Sequence, residues 1–208
     1  MLATAVTPHL FWITSRAAGI AALALASLSV CIGLSMGGGL VKRHRAELRV
    51  AHEALSLATL AALLVHGLSL IGDGYLHPSL ADVSIPFVGS YRTLWTSLGI
   101  VSFWVLAALG LSYYARTRIG VQRWRRLHRF AALAWVLGLI HSLGEGTDAG
   151  QAWFLAMIGV VAVPALALLA ARLAGSLAAP GALAGAAGAA SPAAVPGAAT
   201  PAPTEAVR

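Results

Sequence analysis

The sequence predicts an all-α integral membrane protein, a bundle of five transmembrane helices (six at most) followed by a disordered C-terminal tail. Three observations predict it. Of 208 residues, 59% are hydrophobic and only 10% charged, with a mean hydropathy of +0.81, too little polar surface to cover a soluble core. Five apolar stretches, approximately 11–38, 50–71, 92–114, 127–144 and 152–174, are long enough to cross a hydrocarbon layer of about 30 Å, which takes roughly 20 helical residues. The net charge of +7 sits in two short loops between those stretches. No continuous basic face remains for nucleic acid, and the lipid bilayer is the partner implied.

Each element has its own reason. The first span is rich in small residues, "AAGIAALALAS", which let helices approach closely in lipid. The start, "MLATAVTPHLFW", lacks a basic n-region, so a cleavable signal peptide is not expected. Cys31, the sole cysteine, has no partner for an intramolecular disulfide and reads as a core thiol. The fourth span is short, and Arg126 and Arg129 are placed to snorkel and lengthen it. Pro164 lies within the fifth and is expected to kink it.

The connection 72–91 is too long for a tight turn, and its "LADVSIPF" is expected to lie along the outer interface as a short helix. From 175 to 208 the chain turns to Ala, Pro and Gly without large apolar anchors, the composition of a disordered tail. Its "GALAGAAG" has neither the preceding strand nor the following helix of a dinucleotide loop. The expected division is thus a membrane domain over 1–174 and a tail over 175–208.

Orientation follows from charge. Lys42, Arg43, Arg45 and Arg49 join the first two spans, and Arg116, Arg118, Arg123, Arg125 and Arg126 join the third and fourth. The opposite connections hold Asp73, Asp82, Glu145 and Asp148, with Arg92 their one arginine. The positive-inside rule then places the N-terminus outside and the C-terminus in the cytoplasm of a plasma or inner membrane.

Four histidines carry the chemistry. The second span holds His52 and His66, and the fourth holds His128 and His141. Both spans start at the cytoplasmic face, so His52 and His128 share the inner depth, and His66 and His141 the outer. Fourteen residues separate His52 from His66, about 21 Å of rise and about 40° short of four turns, which keeps both rings on one face. This geometry suits two haems, one above the other, each held by one histidine from each helix; filling both axial positions suits electron transfer. A tetrahedral zinc site needs three or four ligands converging at one point, and these pairs lie too far apart. The fourth span resists. Its thirteen-residue offset leaves His141 about 140° short of four turns, so an overwound stretch or a bend is required, for which Gly138 is a candidate. A lone intramembrane histidine is often a hydrogen-bonded packing residue, whereas four at matched depths ask for a use. His9, His44 and His77 read as solvated.

With these residues in place, the chain resembles the ferric reductase-like transmembrane family, which includes the haem cores of NADPH oxidases and ferric-chelate reductases and the haem subunit of a bacterial methionine sulfoxide reductase system. The four histidines carry the resemblance through their offsets, together with "FWITSRAAGIAA", "YRTLWTSLGI" and "RWRRLHRFAALAW". It extends over roughly residues 10–174. It implies two b-type haems ligated by His52 with His128 and by His66 with His141. The oxidases and eukaryotic reductases have six core helices and a cytosolic flavin and NADPH domain. Five spans without such a domain imply a subunit of a relay that takes electrons from a flavoprotein reductase or a quinol and passes them to an acceptor on the outer side. Any flavin is then supplied by the partner.

Haem propionates need cationic partners. Arg49, Arg126 and Arg129 lie near the inner ligands, and Arg16 and Arg92 near the outer ones; Arg16 faces either a propionate or the outer headgroups. Trp95, Trp104 and Trp135 pack against porphyrin or serve as ordinary anchors. Glu53 and Glu145 either accept from imidazoles or are solvated helix ends. The rival readings are a small transporter using the histidines as a proton relay, and a non-redox assembly subunit. No inverted repeat supports the transporter.

Overall fold

The computed structural model describes residues 3–41 and 43–178, with side chains for 9–41 and 43–175. The elements are α1 (Ala3–Gly37), α2 (Arg45–Ile71), α3 (Leu80–Ser84), α4 (Thr93–Leu111), a 3₁₀ turn (Ser112–Ala115), α5 (Arg116–Ile119), α6 (Val121–His128), α7 (Phe130–Glu145) and α8 (Ala152–Ala178). No strand occurs among the described residues. Among the described residues, five helical stretches are long and apolar enough to cross a membrane: His9–Gly37, Arg45–Ile71, Thr93–Ile119, Val121–Glu145 and Ala152–Gly175. The protein is an all-helical, multi-pass membrane protein.

The chain divides into two compact units, Met1–Arg172 and Leu173–Arg208. The described residues of the second are the end of α8, which continues past the expected boundary at 174. The tail expected over 175–208 otherwise lies outside the described residues.

Within the first unit, α1 pairs along its length with α2, and α4 with α7, while α1 also meets α7. Small residues make these approaches possible. Ala22, Ala162 and Ala165 are fully or almost fully buried, as is Ser27. Leu23, Ala26, Trp135, Leu139, Phe154 and Ile158 fill the seam between α1, α7 and α8, and Trp135 donates its indole N–H to Ser27 Oγ at 3.1 Å. Large apolar side chains such as Leu64, Leu133 and Val160 instead point outward, the arrangement lipid favours because tails cover them as well as protein does. Pro164 lies inside α8, and its helix continues on both sides.

One connection differs from expectation and one agrees with it. The basic stretch 115–126 is almost wholly helical, because α4 runs through the 3₁₀ turn into α5 and reverses at Gly120. Gly120 has φ 91°, a conformation costly for any residue with a Cβ. The segment 72–91 does contain a short helix, α3, started by a capping box in which the Ser79 and Asp82 side chains bond each other's backbone N–H. It is fastened to the side of α4: Trp104 Nε1 donates to the Ser84 carbonyl at 2.8 Å, and the Phe87 N–H to Ser97 Oγ at 2.8 Å.

The basic corner and the α1–α2 connection define one end of the bundle, called here the basic end. The other, with Asp73, Asp82, Glu145 and Asp148, is the acidic end.

Candidate functional site

α2 and the α6–α7 pair face one another, and their histidines meet two by two. At the basic end the His52 and His128 ring centroids are 6.1 Å apart, with planes at 88°. At the acidic end His66 and His141 are 6.4 Å apart, at 72°. The thirteen-residue offset spans a tightened turn at Arg129, whose backbone stays right-handed helical. α6 ends at His128 and α7 begins at Phe130, and across Arg129 the Ala132 N–H bonds back to the Arg129 carbonyl at 3.3 Å, a tightened 3₁₀-type turn. Gly138 is not the hinge. It gives Ser102 room to approach α7, since a Cβ there would lie 2.9 Å from Ser102 Oγ, and that hydroxyl donates to the Ala134 carbonyl at 2.8 Å.

Three of the four imidazoles are fixed by backbone. His66 Nδ1–H donates to the Ser15 carbonyl at 2.8 Å, His52 to that of Ser29 at 2.9 Å, and His141 to that of Trp95 at 2.8 Å. A donor at Nδ1 leaves Nε2 as the lone-pair nitrogen, the state a metal ligand requires. Serine hydroxyls add to this across the α1–α2 seam: Ser15 donates to the His66 carbonyl at 3.0 Å, and Ser29 to that of His52 at 3.5 Å. Glycines let the backbone come this close. A Cβ at Gly19 would lie 3.0 Å from the His66 ring, one at Gly33 3.1 Å from His52, and one at Gly99 2.8 Å from His141.

His128 is placed differently. Its buried Nδ1 has the Leu109 carbonyl as backbone partner, in poorer geometry than the other three, and its ring stacks on Trp124 at 4.8 Å and 25°.

These pairs fit a haem iron. Two imidazole nitrogens at about 2 Å from one metal, each about 1 Å from its ring centre, set centroids about 6 Å apart. No group of three or more His, Cys, Asp or Glu suited to a metal ion occurs among the described residues. His52 and His128 line a small cleft whose other walls are Ala26, Val30, Leu60, Leu106 and Ala131 with the polar Ser29, Ser56 and Thr59.

The arginines divide differently. Arg16 forms a bidentate pair with the buried Asp148 and lies 5.2 Å over the Trp12 ring. Arg49, Arg92, Arg126 and Arg129 are exposed. Arg92 caps α4 with φ 38°. The expected roles of Glu53 and Glu145 as imidazole partners are not what the geometry gives. Glu53 accepts from Tyr114 Oη at 2.8 Å, Glu145 Oε2 is buried without a hydrogen-bond partner, and the imidazole acceptors are carbonyls. Trp135 belongs to the α1–α7–α8 seam and Trp104 to the α3 attachment, while Trp95 contributes its carbonyl to His141 and packs its ring on Gly144. His9, His44 and His77 are exposed, His44 3.7 Å from Glu47.

Sequence reasoning missed two features. Ser15 and Gly19 recur fourteen residues later as Ser29 and Gly33, the same offset as His66 and His52 on the antiparallel partner, and that matching period was a readable signal. Trp124 stands one helical turn before His128, on the same face.

A family model described as "Ferric reductase like transmembrane component" matches residues 18–139, more than half of the chain. The match takes in His52, His66 and His128 and stops just short of His141. No curated protein and no solved structure matches the chain.

Proposed function

The chain belongs to the ferric reductase-like transmembrane family, and on that footing we propose that it moves electrons across the membrane through two b-type haems. One is held by His52 and His128 and the other by His66 and His141. The observation that carries this reading is the pair of facing imidazoles at each of two depths, 6.1 and 6.4 Å apart. Bound haem supplies one-electron chemistry at an iron whose axial positions are both filled. The chain's own residues do the rest. The carbonyls of Ser15, Ser29 and Trp95 fix three imidazoles with Nε2 presented.

The basic end is cytoplasmic in this proposal, by the charge of its connections, with the acidic end outside. Arg49, Arg126 and Arg129 lie exposed at the basic end, where they serve the inner propionates and the docking of an acidic donor; Arg92 serves the outer end. The donor is a separate flavoprotein reductase or a membrane quinol, and the acceptor lies on the outer side. Residues 1–174 form the haem domain.

A reduced-minus-oxidised optical spectrum of the purified protein tests the reading. Dithionite is expected to give b-type haem bands, while NADH or NADPH alone leaves the protein oxidised. Protein purified from haem-replete cells without haem bands overturns the proposal.

A further inference from the structure

The two histidine pairs stand at the ends of a repeat that has a midpoint. Fourteen residues separate His52 from His66 on α2, and the backbone that meets the rings repeats with them. On α1 the partners are Ser29 and Ser15, and on α4 they are Leu109 and Trp95. Halfway along lie Ala22 on α1, Thr59 on α2 and Ser102 on α4, each seven residues from both ends. Seven residues rise about 10 Å and stop about 20° short of two turns. Thr59 therefore lies on the histidine face of α2, between the two rings.

All three residues are buried, Ala22 at 2%, Thr59 at 5% and Ser102 at 4% exposure, and among the described residues of α2 Thr59 is the one that is. The antiparallel register carries the same midpoint. Ser29 meets His52 and Ser15 meets His66, which by register sets Ala22 against Thr59. Ser102 Oγ donates to the carbonyl of the buried Ala134 on α7 at 2.8 Å. Thr59 Oγ1 donates to the Leu55 carbonyl one turn back, also at 2.8 Å, so its hydroxyl is satisfied within α2. Trp135, the aromatic at this depth on α7, packs instead in the α1–α7–α8 seam against Ser27.

We propose that Thr59, with Ala22 and Ser102, is the spacer between the two haem sites. This layer of small side chains sets how closely the two macrocycles approach, and electrons cross it in passing between them. An electron that crosses oxidises the iron on one side and reduces the iron on the other, one for one, with no bond made or broken and no proton moved. A larger side chain at 59 disturbs both sites, because the position is equally far along α2 from both ligands. The inference rests on the two-haem reading above and adds the residue that couples the two centres.

The test compares purified, haem-loaded wild type with Thr59→Val, Thr59→Leu and Thr59→Phe. The readouts are haem content, low-spin EPR and circular dichroism in the Soret region, where two neighbouring haems give a paired positive and negative band. Wild type is expected to show that paired band. Thr59→Val keeps the shape and should leave every signal unchanged. Thr59→Leu should shift both EPR signals together and weaken the paired band; Thr59→Phe should do so more strongly or lose both haems. Gly99→Val, which crowds His141, supplies the contrast of a single moved signal. Movement of one EPR signal alone in Thr59→Leu overturns the inference, since Thr59 would then belong to one cleft. So does a Thr59→Leu protein with nothing changed, a Thr59→Val protein with altered signals, or a two-haem wild type without the paired band. Each of these leaves the two-haem reading standing. Wild type with fewer than two haems overturns that reading instead.

Discussion

The acidic-end and basic-end histidine pairs use the same residues at nearly the same separation, yet they are built differently. At the acidic end both imidazoles are tied to carbonyls of neighbouring helices, and Gly19 and Gly99 bring that backbone within reach. At the basic end His52 is held so, against Ser29 and Gly33, while His128 has the Leu109 carbonyl in poorer geometry. His128 closes α6 at the tightened turn before α7, beside the point where α4 tightens into a 3₁₀ turn. An aromatic side chain, Trp124, adds its face there. Where two helices run side by side the main chain fixes a ligand, and where helices end a side chain helps to do so.

The largest effect in this comparison should come from filling a glycine. Gly99→Val puts branched carbon where a Cβ alone would already lie 2.8 Å from the His141 ring, and neither helix backbone can yield by that much. Loss of the acidic-end haem with retention of the basic-end one is expected, read by haem content and EPR. Retention of both signals would mean that α4 and α7 are not this close.

Smaller effects should follow from the serine hydroxyls, because the carbonyls that accept from Nδ1 survive their removal. Ser15→Ala loses the bond to the His66 carbonyl and should cost about 1 kcal/mol, seen as a lower thermal midpoint. Ser29→Ala, which loses the contact to the His52 carbonyl, should cost no more than that. A cost several times larger would show that the hydroxyls, and not the backbone, hold the rings.

The smallest effect lies away from both pairs. The Asp82 carboxyl is held below the usual carboxylate range, chiefly by the Ser79 hydroxyl at 2.7 Å and then by the Ser79 N–H at 2.8 Å. A depressed carboxylate contributes its stability above its ordinary value of about 4 and loses it as pH falls through the depressed one. The α3 cap should therefore be intact at neutral pH and loosen only in strong acid. Amide exchange at 79–84 checks this, with Asp82→Asn expected to show the loosened rate at neutral pH.

Much of the bundle was legible because lipid imposes a simple rule: the five apolar stretches coincide with the five helices long enough to span, displaced by a few residues at their ends. The pairing of His52 with His128 and of His66 with His141 was legible from depth alone. What fixes the rings was not. A carbonyl acceptor belongs to every residue, so nothing in the names Ser29 or Trp95 marks them as partners. The tightened turn at Arg129 carries no glycine or proline to announce it, and the Arg16–Asp148 pair joins residues far apart in sequence. The basic stretch 115–126 reads as a loop because it falls between two apolar spans, whereas arginines are good helix formers and Gly120 makes the turn.

The central claim is that two haems are held by two histidine pairs, and the haem-to-polypeptide ratio of the purified protein tests it most directly, with wild type, His66→Ala and His52→Ala measured side by side. The account predicts two haems in wild type and one in each variant, with the surviving haem differing between them in its EPR signal. An unchanged ratio in either variant, or one haem in wild type, would contradict it.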